Sequence, residues 1–157
     1  MLPENLRQFE TATVLADRDP ECIITGKFDR GELTLEIASG RIVDVCSFLK
    51  EQQGFVRLST VTAVDRYPLE PRFEVVYHLH SITRNERLRL KCRLSGDSPA
   101  IDSVTPVWRG ANWYERETFD LFGILFRNHP DLRRIMLPED WEGHPLRKDY
   151  SVTGDRV

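Results

Sequence analysis

Phe73-Glu74-Val75-Val76-Tyr77-His78-Leu79-His80 and Arg87-Leu88-Arg89-Leu90-Lys91-Cys92-Arg93-Leu94 are the two stretches whose reading decides the fold. Phe73, Val75, Tyr77 and Leu79 recur at every second position, and so do Leu88, Leu90, Cys92 and Leu94. That period belongs to strands, whose successive side chains point to opposite faces. Pairing the two apolar faces as a hairpin sets Leu79 opposite Leu88, which in turn sets Glu74 opposite Arg93 and His78 opposite Arg89.

Working outward, Phe55 to Asp65 reads as a third strand. Before it, Ile42, Val45, Cys46 and Leu49 form one stripe of a helix from about Arg41 to Gln53, with Gly54 as its stop. Cys22 to Phe28 and Glu32 to Ala38 read as two strands around Asp29-Arg30-Gly31, a hairpin turn, with Leu33, Leu35 and Ile37 on the buried side. Leu2, Leu6, Phe9 and Ala16 predict a first amphipathic helix that stops before Asp19-Pro20. After the central hairpin and a polar loop, Pro106 to Phe122 reads as a last helix closed by Gly123.

The order α-β-β-α-β-β-β-α predicts an α+β fold of two layers, with the helices on one face of a mostly antiparallel sheet. No repeat, low-complexity tract or linker divides the chain. The expectation is a compact α+β domain over residues 1–123 and an irregular C-terminal docking segment of the same domain over 124–157.

Composition narrows the function classes. A chain of 157 residues buries about 70% of its unfolded surface and needs no staples. With 22 basic and 25 acidic side chains and a net charge of -3, the overall balance points neither to nucleic acid nor to an anionic membrane. Cys22, Cys46 and Cys92 are far apart and form no C-x-x-C, too few and too scattered for a zinc site or an iron-sulfur cluster. They read as core thiols in a reducing compartment, as the lack of a basic-then-apolar leader also implies. Apolar runs such as Ile124-Leu125-Phe126 fall far short of the roughly 20 residues that span a bilayer. Neither G-x-G-x-x-G nor G-x-x-x-x-G-K-[ST] is present.

The last segment has no helical or strand period and contains Pro130, Pro138 and Pro145, yet Ile124, Leu125, Phe126, Leu132, Ile135, Met136, Leu137, Trp141, Leu146 and Tyr150 need a surface to bury against. It either folds back on its own domain or lies along a partner. Its six basic and six acidic side chains, interleaved with apolar anchors, suit a register-fixing interface. On that reading the closing residues matter more for assembly than for folding of the chain.

Three charged constellations invite chemistry. Glu115, Arg116, Glu117 and Asp120 are close enough for acid-base work, and with His129 they suggest an independent hydrolase using Glu117, Asp120 and His129. The alternative is an Arg116–Asp120 pair at i, i+4 on a solvated helix face. His78, His80, His129 and His144 lack metal-ligand spacing, and His129 and His144, each before a proline, suit loop-fixing hydrogen bonds. Arg87, Arg89, Lys91 and Arg93 make a basic strand face, but without the aromatic platforms of a single-strand RNA binder.

The segment Glu115-Arg116-Glu117-Thr118-Phe119-Asp120-Leu121-Phe122-Gly123-Ile124, then Phe126, then His129-Pro130-Asp131-Leu132-Arg133-Arg134-Ile135-Met136-Leu137-Pro138, resembles the signature of one family, the C subunits of NADH:quinone oxidoreductases. Trp141-Glu142-Gly143-His144-Pro145-Leu146-Arg147-Lys148-Asp149-Tyr150 resembles its closing motif. One departure is Asn128, where many relatives have glycine; asparagine also reaches the left-handed region, so a compatible turn is expected.

The resemblance implies a peripheral-arm subunit of respiratory complex I, a proton-translocating assembly. It packs against the quinone-site subunit, on the cytoplasmic face of the cell inner membrane, and meets the membrane only through the complex. NADH, flavin, iron-sulfur clusters and quinone belong to that assembly, with no cofactor and no active site on this chain. A related membrane-bound hydrogenase or plastoquinone-reducing complex is the alternative setting. The implied partner-binding residues are Glu115, Arg116, Glu117, Asp120, Phe122 and Gly123 on the helix, His129, Pro130, Arg133 and Arg134 after it, and Gly143 through Tyr150, including His144, Pro145, Leu146, Arg147, Lys148 and Asp149.

Overall fold

A computed structural model describes residues 2–152, so residues 153–157 of the expected docking segment lie outside the described part. Strands β1 (Ile23–Asp29), β2 (Glu32–Ile37), β3 (Arg57–Asp65), β4 (Phe73–Ser81) and β5 (Glu86–Leu94) form one sheet in the order β1-β2-β5-β4-β3. Every neighbouring pair is antiparallel except β2 and β5. The central hairpin has the expected register: Leu79 pairs with Leu88, Glu74 with Arg93 and His78 with Arg89.

Helices α1 (Glu10–Arg18) and α2 (Ile42–Gln53) contribute Ala12, Leu15, Ile42, Val45, Cys46 and Leu49 to the same core as Leu35, Tyr77, Leu79, Leu90 and Cys92. The three thiols are buried there, and burial, with Asp19 nearby, pushes Cys22 up to about 11. Helix α3 (Ala111–Phe122) lies against β3 at the sheet's edge, where Thr118 Oγ1 donates to the carbonyl of Val61. Gly54 and Gly123 end α2 and α3 in the left-handed conformation at φ 73° and 74°, as the sequence predicts of a helix stop.

Three expectations need correction. The first helix is broken: a 3-10 turn at Glu4–Leu6 plugs Leu6 into the core before α1 begins at Glu10. The last helix starts at Ala111, because residues 105–107 turn instead, so that Trp108 Nε1 can donate to the Val56 carbonyl and Val107 can accept from Lys50. The final segment is not wholly irregular, since β7 (Leu125–Arg127) pairs in parallel with β6 (Ala100–Asp102) and buries Phe126. Glu74 and Arg93 do stand opposite each other as expected, though their side chains bind other partners, Glu74 reaching Lys91 at 2.7 Å and Arg93 reaching Glu36 at 3.3 Å.

Candidate functional site

Helix α3 and the segment after it hold each other through buried charge. Asp120 is fully buried, and its carboxylate accepts from Arg134 Nη1 at 2.6 Å and from the successive backbone N–H groups of Ile135, Met136 and Leu137 at 3.0, 2.7 and 3.0 Å. Burial opposes ionisation, but these four donors hold the carboxyl below its usual range. Arg134 then spans to the carbonyls of Trp141 and Gly143, at 2.9 and 3.0 Å. His144 Nδ1 lies 2.9 Å from the Asp120 carbonyl, so this nitrogen carries the proton. Arg116 donates to the carbonyls of Arg133 and Arg134 and lies over the ring of Trp113. The expected Arg116–Asp120 pair on a solvated face is therefore replaced: both side chains are buried and each grips the tail separately.

A second knot joins the closing motif to the sheet. Arg72 binds Asp65 with Nε and Nη2 at 2.9 and 2.8 Å, and binds Asp149 with Nη1 and Nη2 at 3.2 and 2.6 Å. The Lys148 backbone N–H adds a bond to Asp65 at 2.8 Å, and Arg147 Nε donates to the Phe122 carbonyl at 2.6 Å. Arg72 and Arg147 both lie over the Phe73 ring. The Arg72 guanidinium holds Asp65 well below the ordinary carboxylate range and lowers Asp149 as well. Gly123 is fixed twice, because a Cβ there would stand 2.5 Å from the His144 ring, in a backbone conformation that favours glycine.

Glu115 faces the other way, into the domain. Its two oxygens accept from Ser103 Oγ at 2.6 Å and the Val104 N–H at 2.7 Å, and His129 Nε2 lies 3.9 Å away. Burial pushes this carboxyl up to about 7 and pushes His129 down. His129 Nδ1 accepts the Asp131 N–H, so the proton sits on Nε2, which donates to the Asn112 carbonyl.

The proposed hydrolase trio does not assemble. Asp120 is committed to Arg134 and the tail, His129 to Asn112 and Asp131, and Glu117 is exposed with no bond to either. Of the expected partner-binding set, Glu115 and Asp120 are 0% exposed, Arg116 and Phe122 are buried, and Gly123 is filled over by His144 and Arg147. The polar side chains of Glu115, Arg116 and Asp120 spend their donors and acceptors inside the chain. Glu117, Pro130, Gly143, Leu146, Lys148 and Asp149 are exposed, with Arg133 paired to its neighbour Asp131; Arg134, Pro145, Arg147 and Tyr150 are half-buried. Along the same clasp Trp113, Met136, Leu146 and Ile135 are 61%, 63%, 51% and 36% exposed. Sequence reading missed Asp65 and Arg72. A charge at each end of two consecutive strands was a usable signal for that pair, whereas nothing local points Arg72 at a residue 77 positions away.

Among the described residues no three His, Cys, Asp or Glu gather where they could hold a metal ion, and no helix is long and apolar enough to cross a membrane. Fold and clasp together define a class: an α+β domain whose last helix and tail are locked by ion pairs while presenting apolar side chains outward. The model of the respiratory-chain NADH dehydrogenase 30 kDa subunit matches residues 35–156, and the chain belongs to that family. It is 49% identical over 140 residues to the C subunit of the NADH-quinone oxidoreductase of Geotalea uraniireducens, covering 89% of this chain and 85% of that one. To the corresponding C subunit of Geobacter sulfurreducens it is 52% identical over 126 residues, covering 80% and 78%. Among solved structures it resembles a trypsin-resistant fragment of Nqo5, with TM-score 0.67 and 29% identity over 76% of this chain and 97% of that one. It also resembles a chain of the membrane-bound sulfane sulfur reductase, an archaeal respiratory membrane complex, with TM-score 0.80 and 26% identity over 94% and 87%.

Proposed function

We propose that this chain is a peripheral-arm docking subunit of a proton-translocating NADH:quinone oxidoreductase, packing against the quinone-site subunit at the cytoplasmic face of the inner membrane. In this role it carries no cofactor and no active site of its own; NADH, flavin, iron-sulfur clusters and quinone are handled by its neighbours. The observation that carries the reading is the set of exposed apolar side chains, Trp113, Ile135, Met136 and Leu146, on a backbone already fixed from within. Large apolar groups left outside a rigid frame are what buried interface cores are made from, and the exposed charges of Glu117, Lys148 and Asp149 suit the polar rim around them.

Copurification tests this. A tagged chain expressed in its own cell should bring down flavin and iron-sulfur subunits together with NADH:quinone activity; recovery of the chain alone would end the proposal. The likeness to the archaeal membrane complex favours one second reading, an equivalent subunit of a related membrane-bound hydrogenase or plastoquinone-reducing complex. The identity of the recovered subunits separates the two.

A further inference from the structure

The face of the sheet turned away from the core carries two arginines on either side of a histidine. Leu58, Leu79 and Leu88 point inward, so their neighbours Arg57, His80 and Arg87 point outward, and the register places these three side by side across β3, β4 and β5. A register shift at Ser59 keeps Thr60 on the same face, beside His78, which pairs in turn with Arg89. Further along β5 each cation has a carboxylate: Arg89 binds Glu32, Lys91 binds Glu74 and Arg93 binds Glu36. Among the described residues Arg57 and Arg87, two strands apart on either side of His80, have none. They border a groove of about 420 Å³ that also includes Ser59 and Thr60.

On a chain of net charge -3, two arginines without a carboxylate partner among the described residues border one groove. From this we infer that the groove receives an acidic peptide segment, rich in Asp and Glu, of a neighbouring subunit; the inference rests on the docking role proposed above. Directly opposed side chains on neighbouring strands stand about 5 Å apart, so guanidiniums on either side of a histidine present donors to successive carboxylates, and the hydroxyls of Ser59 and Thr60 add further donors. No Phe, Tyr or Trp lines the groove, which disfavours a single-stranded nucleic acid.

The test uses the assembled complex. Arg57→Lys with Arg87→Lys keeps the charge and introduces amines that a zero-length carbodiimide couples only to carboxylates in contact. Mass spectrometry should find cross-links from positions 57 and 87 to one acidic stretch of a second subunit. Arg57→Glu with Arg87→Glu should lower recovery of that subunit with the tagged chain roughly tenfold, because like charges at a contact repel, while the unfolding midpoint of the full chain holds. Cross-links only to this chain's own Glu32 or Glu86, or normal assembly of the charge-reversed variant, would overturn the inference and leave the docking role standing. Flotation of the wild-type chain, but not the reversed one, with phosphatidylglycerol vesicles would overturn it in favour of a lipid surface. A wild-type chain that recovers no other subunit would instead remove the docking role itself.

Discussion

Asp120 shows how one side chain can set the course of the segment that follows it. Its carboxylate is the meeting point for a guanidinium and three consecutive peptide N–H groups, which together turn the chain after α3 back along the helix. Asp120→Ala leaves these donors without an acceptor in a partly closed site, at a cost of about 3 kcal/mol. Urea unfolding should show the loss; a change under about 0.5 kcal/mol, the scale of an ordinary surface substitution, would mean the contact is incidental. Glu115 acts through protons instead. Its folded pKa is raised to about 7 from an ordinary 4.5, so the folded state holds a proton that the unfolded chain releases, and its contribution to stability grows as pH falls from 7 towards 4.5. His129 and His144 are lowered by burial and act with the opposite sign, losing stability as pH falls through the ordinary histidine value. The two effects oppose each other in the wild type. Glu115→Gln removes one of them, and the Ser103 hydroxyl can turn to accept from the new amide, so the variant should lose stability more steeply between pH 7 and 5, by up to about 3 kcal/mol at the acid end. Thermal midpoints across that range measure the slope, and parallel curves for the two proteins would refute the account.

At the scale of elements, the tail is where sequence and structure part company. Alternation in Phe73–Leu94 was sufficient to give the hairpin register, because a slip by one residue would expose Tyr77 and Leu90. Gly54 and Gly123 marked their helix ends because the left-handed cap is a local requirement. The clasp was legible only as a list of residues. Nothing in Arg147-Lys148-Asp149 reveals that Asp65 and Arg72 wait 83 and 77 positions away, so the motif read as a surface for a partner. The missing strand β7 has the same cause: at three residues, its pairing with β6 leaves no period to detect. Truncation after Gly143 is therefore expected to lower the thermal midpoint by several degrees, contrary to the reading from sequence, because Asp65 loses one donor and Arg72 one carboxylate, at about 1 to 3 kcal/mol together. An unchanged midpoint would show that the knot contributes nothing to folding.

At the scale of the molecule, stability and recognition are divided between two sides of the same segment. Buried charge fixes the inner side, while Trp113, Ile135, Met136 and Leu146 remain outside. Met136→Glu with Trp113→Glu should consequently leave the unfolding midpoint within about a degree or two, since exposed positions contribute little, yet weaken association by about 2 to 4 kcal/mol if both sit in an interface core. Pull-down against unfolding data separates the two; normal assembly of the double variant would move the interface elsewhere. The sheet order has a different outcome for the living cell. Strand β2 finds its second neighbour only in β5, with Thr34 and Arg89 separated by 55 positions. A ribosome adding about 5 to 20 residues per second takes roughly 3 to 11 seconds to deliver that neighbour. Throughout that interval Leu33, Leu35 and Ile37 emerge on a hairpin with an open edge, able to pair with any other nascent strand nearby. Translation of the stretch between them is thus the window in which a chaperone has most to protect.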